Sequence, residues 1–159
     1  MAAKDEDKAD GTKRSPDGDT RMVIVRSNER ARIGQNIVVG PHTLSSDEPD
    51  PVGDDTGPTP HQLLAAALGA CTAMTIELYA RRKEWPLESV SVILGHRKID
   101  AADCDGCGAR EGKVDHIERA IQLGGSLTEE QRSRLLEIAD RCPVRRTLDS
   151  GIHVRSRLV

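Results

Sequence analysis

The sequence predicts an α+β fold, on three observations. Short β-branched segments bounded by turn residues come first, a long helix of small and apolar residues follows from about residue 60, and an alternating strand pair then precedes a second helix. From Leu63 to Ile76 the long helix is small or apolar on every side, so it needs cover on more than one side. Either two sheets wrap it or a second subunit covers it. The 159 residues suit one domain over 21–159, behind a tail, 1–20, too poor in apolar residues to fold.

Each element has its own warrant. Met22-Val23-Ile24-Val25 reads as a strand and Arg32 to Val39 as another, with Asn28 and Glu29 in the turn and His42-Thr43-Leu44 extending the sheet. SSDEPDPVGDDTGPTP is too rich in Pro, Gly and Asp for regular structure, and ordered loops of such length are often functional. Thr59 is placed to cap the next helix, with Pro60 at its first position, where a missing amide hydrogen costs nothing. That helix runs to about Lys83, before Trp85-Pro86 breaks it. Ser89 to Ile99 and Val114 to Leu123 alternate as antiparallel partners across AADCDGCGAREGK. Ser126 is expected to open the second helix in a capping box with Glu129. Leu135, Ile138, Ala139 and Cys142 share one face of it, and Pro143 is expected to end it. Ile152 to Leu158 alternates as a last, half-buried strand with His153, Arg155 and Arg157 outward.

Composition excludes some functions. A net charge of −3 with one Trp, one Tyr and no Phe offers neither the basic surplus nor the stacking surface of a nucleic-acid binder. The tail has no apolar centre to act as an export signal, and Leu63 to Ile76 is too short to cross a bilayer. A cytoplasmic protein with no membrane partner is expected. In a reducing compartment its four cysteines, Cys71, Cys104, Cys107 and Cys142, are packing residues, metal ligands or redox catalysts.

Cys71 lies on the stripe Leu64, Leu68, Cys71, Thr75, Leu78, where a free cysteine often serves as a small hydrophobe. A reactive Cys71 would need a cation or donors from elsewhere, because it sits about three turns into its helix. Cys142 lies among Arg141, Arg145 and Arg146, which either depress its pKa or form a solvated cluster at a helix end. Two cysteines on the inward faces of two helices suit a peroxidatic and resolving couple. Cys104-Asp105-Gly106-Cys107 falls at the hairpin tip; with His96 and His116 it makes a four-ligand zinc set of non-standard spacing, and otherwise an oxidisable surface pair.

GPTPHQLLAAALGACTAMTI, close to the pattern G-x-N/T-P-E-E/Q-L-L-x-A-A-x-x-A-C, and the later RCPV resemble the OsmC/Ohr-like peroxide-detoxifying proteins from about residue 20 onward. That resemblance implies an OsmC-like fold, an intertwined homodimer with two sheets wrapped around central helices and a site near the subunit interface. It implies Cys71 as the peroxide-attacking cysteine and Cys142 as the resolving one, reducing organic hydroperoxides and in some members hydrogen peroxide. It also implies an external thiol or dithiol reductant and no metal or organic cofactor.

His61 and Gln62 stand where the family pattern has glutamates, one of which holds an active-site arginine. His61 as donor or base, or Asp47 or Glu48 from the long loop, are the replacements within the sequence, and Arg26, Arg30 and Arg32 are the early-strand arginines. Two other functions stay open. One is a catalytically weakened OsmC-like protein binding a small apolar or electrophilic molecule at the dimer interface; the other is a zinc-stapled interaction protein built on the Cys104 pair.

Overall fold

The computed structural model describes residues 22–104 and 111–158. The predicted tail and Cys107 lie outside the described residues. The chain divides into two compact units, one ending at Thr59 and the other beginning at Pro60.

The first unit is a three-stranded antiparallel sheet in the order β1 (Val23–Ser27), β2 (Gln35–Val39), β3 (His42–Ser46). Val39 pairs with His42, so Gly40 and Pro41 form a two-residue hairpin turn, and Gly40 supplies the left-handed φ of 57° that its first position requires. Strand β2 starts three residues later than expected because Arg32, in the β1–β2 turn, is tied to the loop that follows β3. Its N–H donates to Asp54 Oδ2 at 2.7 Å and its guanidinium to the Pro51 carbonyl. The loop itself folds around Asp47, whose buried carboxylate accepts from the N–H groups of Glu48, Asp54 and Thr56 and from the Thr56 hydroxyl at 2.8 Å.

The second unit sets helix α1 (Pro60–Arg82) against the long hairpin of β4 (Ser89–Asp100) and β5 (Lys113–Gly124), with α2 (Glu129–Ala139) and the short α3 (Pro143–Asp149) packed on α1. Ile76 and Ala80 of α1 meet Leu135 and Ala139 of α2 in the core, flanked by Trp85, Leu87, Val90, Ile121 and Leu123. Gly69 permits the close approach of α1 to the sheet, since a Cβ there would lie 2.7 Å from Leu94 Cδ1. Helix α1 ends in a Schellman turn in which Trp85 N–H reaches the Ala80 carbonyl, Glu84 N–H reaches that of Arg81, and Glu84 takes the left-handed position at φ 55°.

Five expectations need correction. Helix α1 is not buried all round in the single chain: Leu68, Gly69, Thr72, Ile76 and Ala80 are buried, while Leu64, Met74 and Leu78 are exposed. Counted end to end, its 23 residues are long and apolar enough to cross a membrane on length and composition, which the tally of its uncharged stretch missed; a core helix passes the same test. The cap of α2 is Thr128, not Ser126, and its box partner is Gln131, with Thr128 N–H to Gln131 Oε1 at 2.9 Å and Gln131 N–H to Thr128 Oγ1 at 3.2 Å. Pro143 begins a helix instead of ending one: α2 stops at Ala139, Cys142 turns the chain with extended torsions, and proline fits the first turn of α3 because no acceptor awaits its nitrogen. Residues 152–158 pair with no strand among the described residues and stand exposed. Alternation records a one-sided surface, but a strand also needs a neighbour to bond to.

Candidate active site

Cys71 and Cys142 are both free thiols, the first half-buried on α1 and the second fully buried as the residue that caps α3. They are hydrogen-bonded to each other. Because Pro143 has no N–H, the first free amide hydrogens of α3 are those of Val144 and Arg145, and both favour the Cys142 thiolate, although neither makes a capping hydrogen bond to its side chain. The Thr72 hydroxyl, whose hydrogen bonds the Leu68 carbonyl, also lies beside Cys142 and favours its thiolate. Arg145 acts here through its backbone, since its side chain pairs with Asp140 and Asp149.

These contacts move the two thiols in opposite directions. Burial pushes Cys142 up, but Cys71, the Arg145 N–H, the Thr72 hydroxyl and the Val144 N–H together outweigh it and bring Cys142 below the ordinary thiol range. Burial and its bond to Cys142 raise Cys71, against the Val144 N–H and the Thr75 hydroxyl. Cys142 is therefore the more acidic thiol of the pair and Cys71 the less acidic one.

An arginine that sequence reasoning missed supports this arrangement. Arg119 Nη1 donates to Thr72 Oγ1 at 3.0 Å and to the Ala139 carbonyl at 3.3 Å, while Nη2 pairs with Asp140 at 2.7 Å. The Thr72 hydroxyl, held by that guanidinium, has one hydrogen to share between the Leu68 carbonyl at 2.8 Å and Cys142. The signal was present in the alternation of β5: Ile117, Arg119, Ile121 and Leu123 share the half-buried phase, and a cation in that phase requires buried partners. Asp140 supplies the carboxylate.

The other sequence-derived candidates make other contacts. Arg26, Arg30 and Arg32 belong to the first unit, and Asp47 is committed to its loop there. Glu48 contributes backbone to the same loop. His61 stands ten residues before Cys71, about 15 Å along the helix axis at 1.5 Å per residue. It stacks instead on His96, with ring centroids 4.8 Å apart and planes at 10°. His96 in turn bonds Asp115 at 3.0 Å, as does Lys98, and these two hold the Asp115 carboxyl below its usual range. Gln62 is exposed on the next position of α1.

The zinc set is not brought together. His96 pairs in register with Ile117 and His116 with Arg97, which puts the two histidines on opposite faces of the hairpin. Cys104 is disulfide-bonded, and among the described residues no three His, Cys, Asp or Glu side chains are grouped to hold a metal.

Two free thiols, one on α1 and one at the start of α3, sit within an α+β frame. The OsmC-like protein family model matches residues 53–157, and the chain belongs to that family. Its fold is OsmC-like. An OsmC-like protein from Mycoplasma pneumoniae superposes with a TM-score of 0.65 at 17% identity, covering 83% of this chain and 89% of that one. An organic hydroperoxide resistance protein OsmC from Legionella pneumophila gives 0.57 at 19%, over 80% and 89%. The organic hydroperoxide resistance protein OhrB of Bacillus subtilis gives 0.52 at 20%, over 80% and 88%. No curated protein matches the sequence.

Proposed function

We propose that the protein is a cysteine-based thiol peroxidase reducing organic hydroperoxides, and hydrogen peroxide with them, through a sulfenic acid and an intramolecular disulfide. The observation that carries this reading is the pairing of two free thiols, Cys71 and Cys142, whose surroundings make Cys142 the more acidic of the two. Family membership and the printed descriptions of the Legionella and Bacillus proteins support it.

Cys142 is the more acidic thiol of the pair, and when it ionises the Cys71 proton passes to it, which makes Cys71, the more accessible sulfur, the thiolate nucleophile. Cys71 Sγ attacks one peroxide oxygen, the O–O bond breaks as two electrons leave sulfur, and the departing alkoxide takes the proton from Cys142. Cys142, again a thiolate, attacks the Cys71 sulfenic sulfur; the S–O bond breaks and hydroxide leaves, taking a proton from water. An external thiol or dithiol then restores the pair by exchange. As proposed, the cycle uses no metal or organic cofactor and runs in the cytoplasm.

The reading includes a homodimer. Leu64 and Met74 on α1 are 42% and 61% exposed, and a second copy would cover them. A second reading, a weakened member that binds a small apolar or electrophilic molecule at that interface, is favoured by His61 and Gln62 in place of glutamates.

Consumption of cumene hydroperoxide with a dithiol reductant separates the two. Turnover by the wild type and its loss in Cys71→Ser are expected; turnover unchanged by that substitution would remove the peroxidase reading.

A further inference from the structure

A cavity of about 320 Å³ lies in the second unit between α1 and the α2–α3 junction. It is at the small end of the ligand-pocket range of about 300–1,000 Å³. Its walls are mostly apolar: Leu78, the Tyr79 ring, Ile138 and Pro143. Thr75 and Pro143 border the thiol pair, the first through its hydroxyl contact with Cys71 and the second as the residue after Cys142. The remaining lining residues are Arg82 and Arg141.

Those two guanidiniums differ from the other arginines nearby. Arg134 is paired with Glu137, and Arg119 and Arg145 share Asp140. Among the described residues Arg82 and Arg141 have no carboxylate partner; Arg82 instead lies over the Tyr79 ring, 5.4 Å from its centroid. Hydrogen bonding to Arg134, with Arg82 and Lys83 close by, also lowers the Tyr79 phenol. An apolar floor with two unneutralised cations at its rim is complementary to a compact organic anion: an apolar body against Leu78, Ile138 and Pro143, and a carboxylate between Arg82 and Arg141.

We propose that this cavity binds a small amphipathic carboxylate, and that it anchors the anionic end of the molecule on which the adjoining thiols act. The second clause rests on the peroxidase reading; the first does not. The cavity volume suits an aryl or branched-alkyl body of one ring. Binding should weaken with salt, because both guanidiniums are solvent-facing.

The test is isothermal titration calorimetry of reduced wild-type protein with 4-isopropylbenzoate and with its neutral isostere, 4-isopropylbenzamide, repeated on the double variant Arg82→Gln/Arg141→Gln. The acid should bind the wild type at least tenfold more tightly than the amide, and the double variant should lose at least tenfold for the acid with an unchanged circular dichroism spectrum. Equal binding of acid and amide, binding of neither, or full affinity in the double variant would each overturn the proposal. The wild-type comparison decides the matter even if the double variant folds poorly. Because no peroxide is present, these outcomes are independent of whether cumene hydroperoxide is consumed.

Discussion

Arg119 Nη1 lies 3.0 Å from Thr72 Oγ1, across 47 residues of sequence, and through that hydroxyl a cation on β5 bears on the thiol that caps α3. Arginine and sulfur do not need to touch. The guanidinium fixes the oxygen, and the oxygen's hydrogen is left for Cys142 or for the Leu68 carbonyl.

Removing that hydroxyl should move the thiol pair. Thr72→Val keeps the shape of the side chain but deletes a donor to a charged acceptor, worth about 1.5 kcal/mol or roughly tenfold. Since Cys142 is held below the ordinary thiol range by such donors, the loss raises its pKa. The pH profile of iodoacetamide alkylation, followed by ultraviolet thiolate absorbance, should shift to higher pH. An unshifted profile would deny Thr72 its part.

Asp47 makes the first unit acid-sensitive. Burial raises its pKa, but the hydroxyl and N–H of Thr56 and the N–H groups of Glu48 and Asp54 outweigh that and hold it below the usual carboxyl range. A depressed carboxyl stabilises the fold above its unfolded pKa, and the contribution disappears as pH falls through the folded value. Thermal melts of the wild type should therefore drop on acidification, while Asp47→Ala melts lower at neutral pH and varies less with acid.

Leu135 is fully buried against Ile76, Ala80 and Ala139. Leu135→Ala should cost about 2–5 kcal/mol in urea unfolding, the range for emptying a leucine site that collapses incompletely. A cost under about 1 kcal/mol would mean that the core is not packed as described.

Glu84 holds a left-handed backbone position at the end of α1. Glu84→Gly removes the Cβ clash there and should stabilise by about 1 kcal/mol. The same urea unfolding reads it.

Much of this architecture was legible because periodicity reports local structure faithfully. Helix α1 and the β4–β5 hairpin fall within a residue or two of expectation, since small residues after Thr-Pro and two alternating runs leave few alternatives. The misreadings share a cause: the deciding partner was distant or competed locally. Ser126 lost the cap to Thr128 because Gln131, not Glu129, completes the box. The missing N–H of Pro143 suits a helix stop and a first turn equally, and only the packed structure chooses the first turn of α3. Arg119 belongs to no local motif, and its place in the inward phase of β5 is its only mark in the sequence. The segment from Ile152 shows the opposite failure, alternation without a described neighbour.

The central claim is that Cys71 and Cys142 form one redox unit, and a single turnover tests it most directly. One equivalent of cumene hydroperoxide is added to reduced protein without reductant, and the quenched protein is mapped by peptide mass spectrometry. The account predicts one cumyl alcohol per chain and a peptide cross-link between Cys71 and Cys142. Peroxide consumed with both thiols still alkylatable, or a disulfide confined to Cys104, would contradict it.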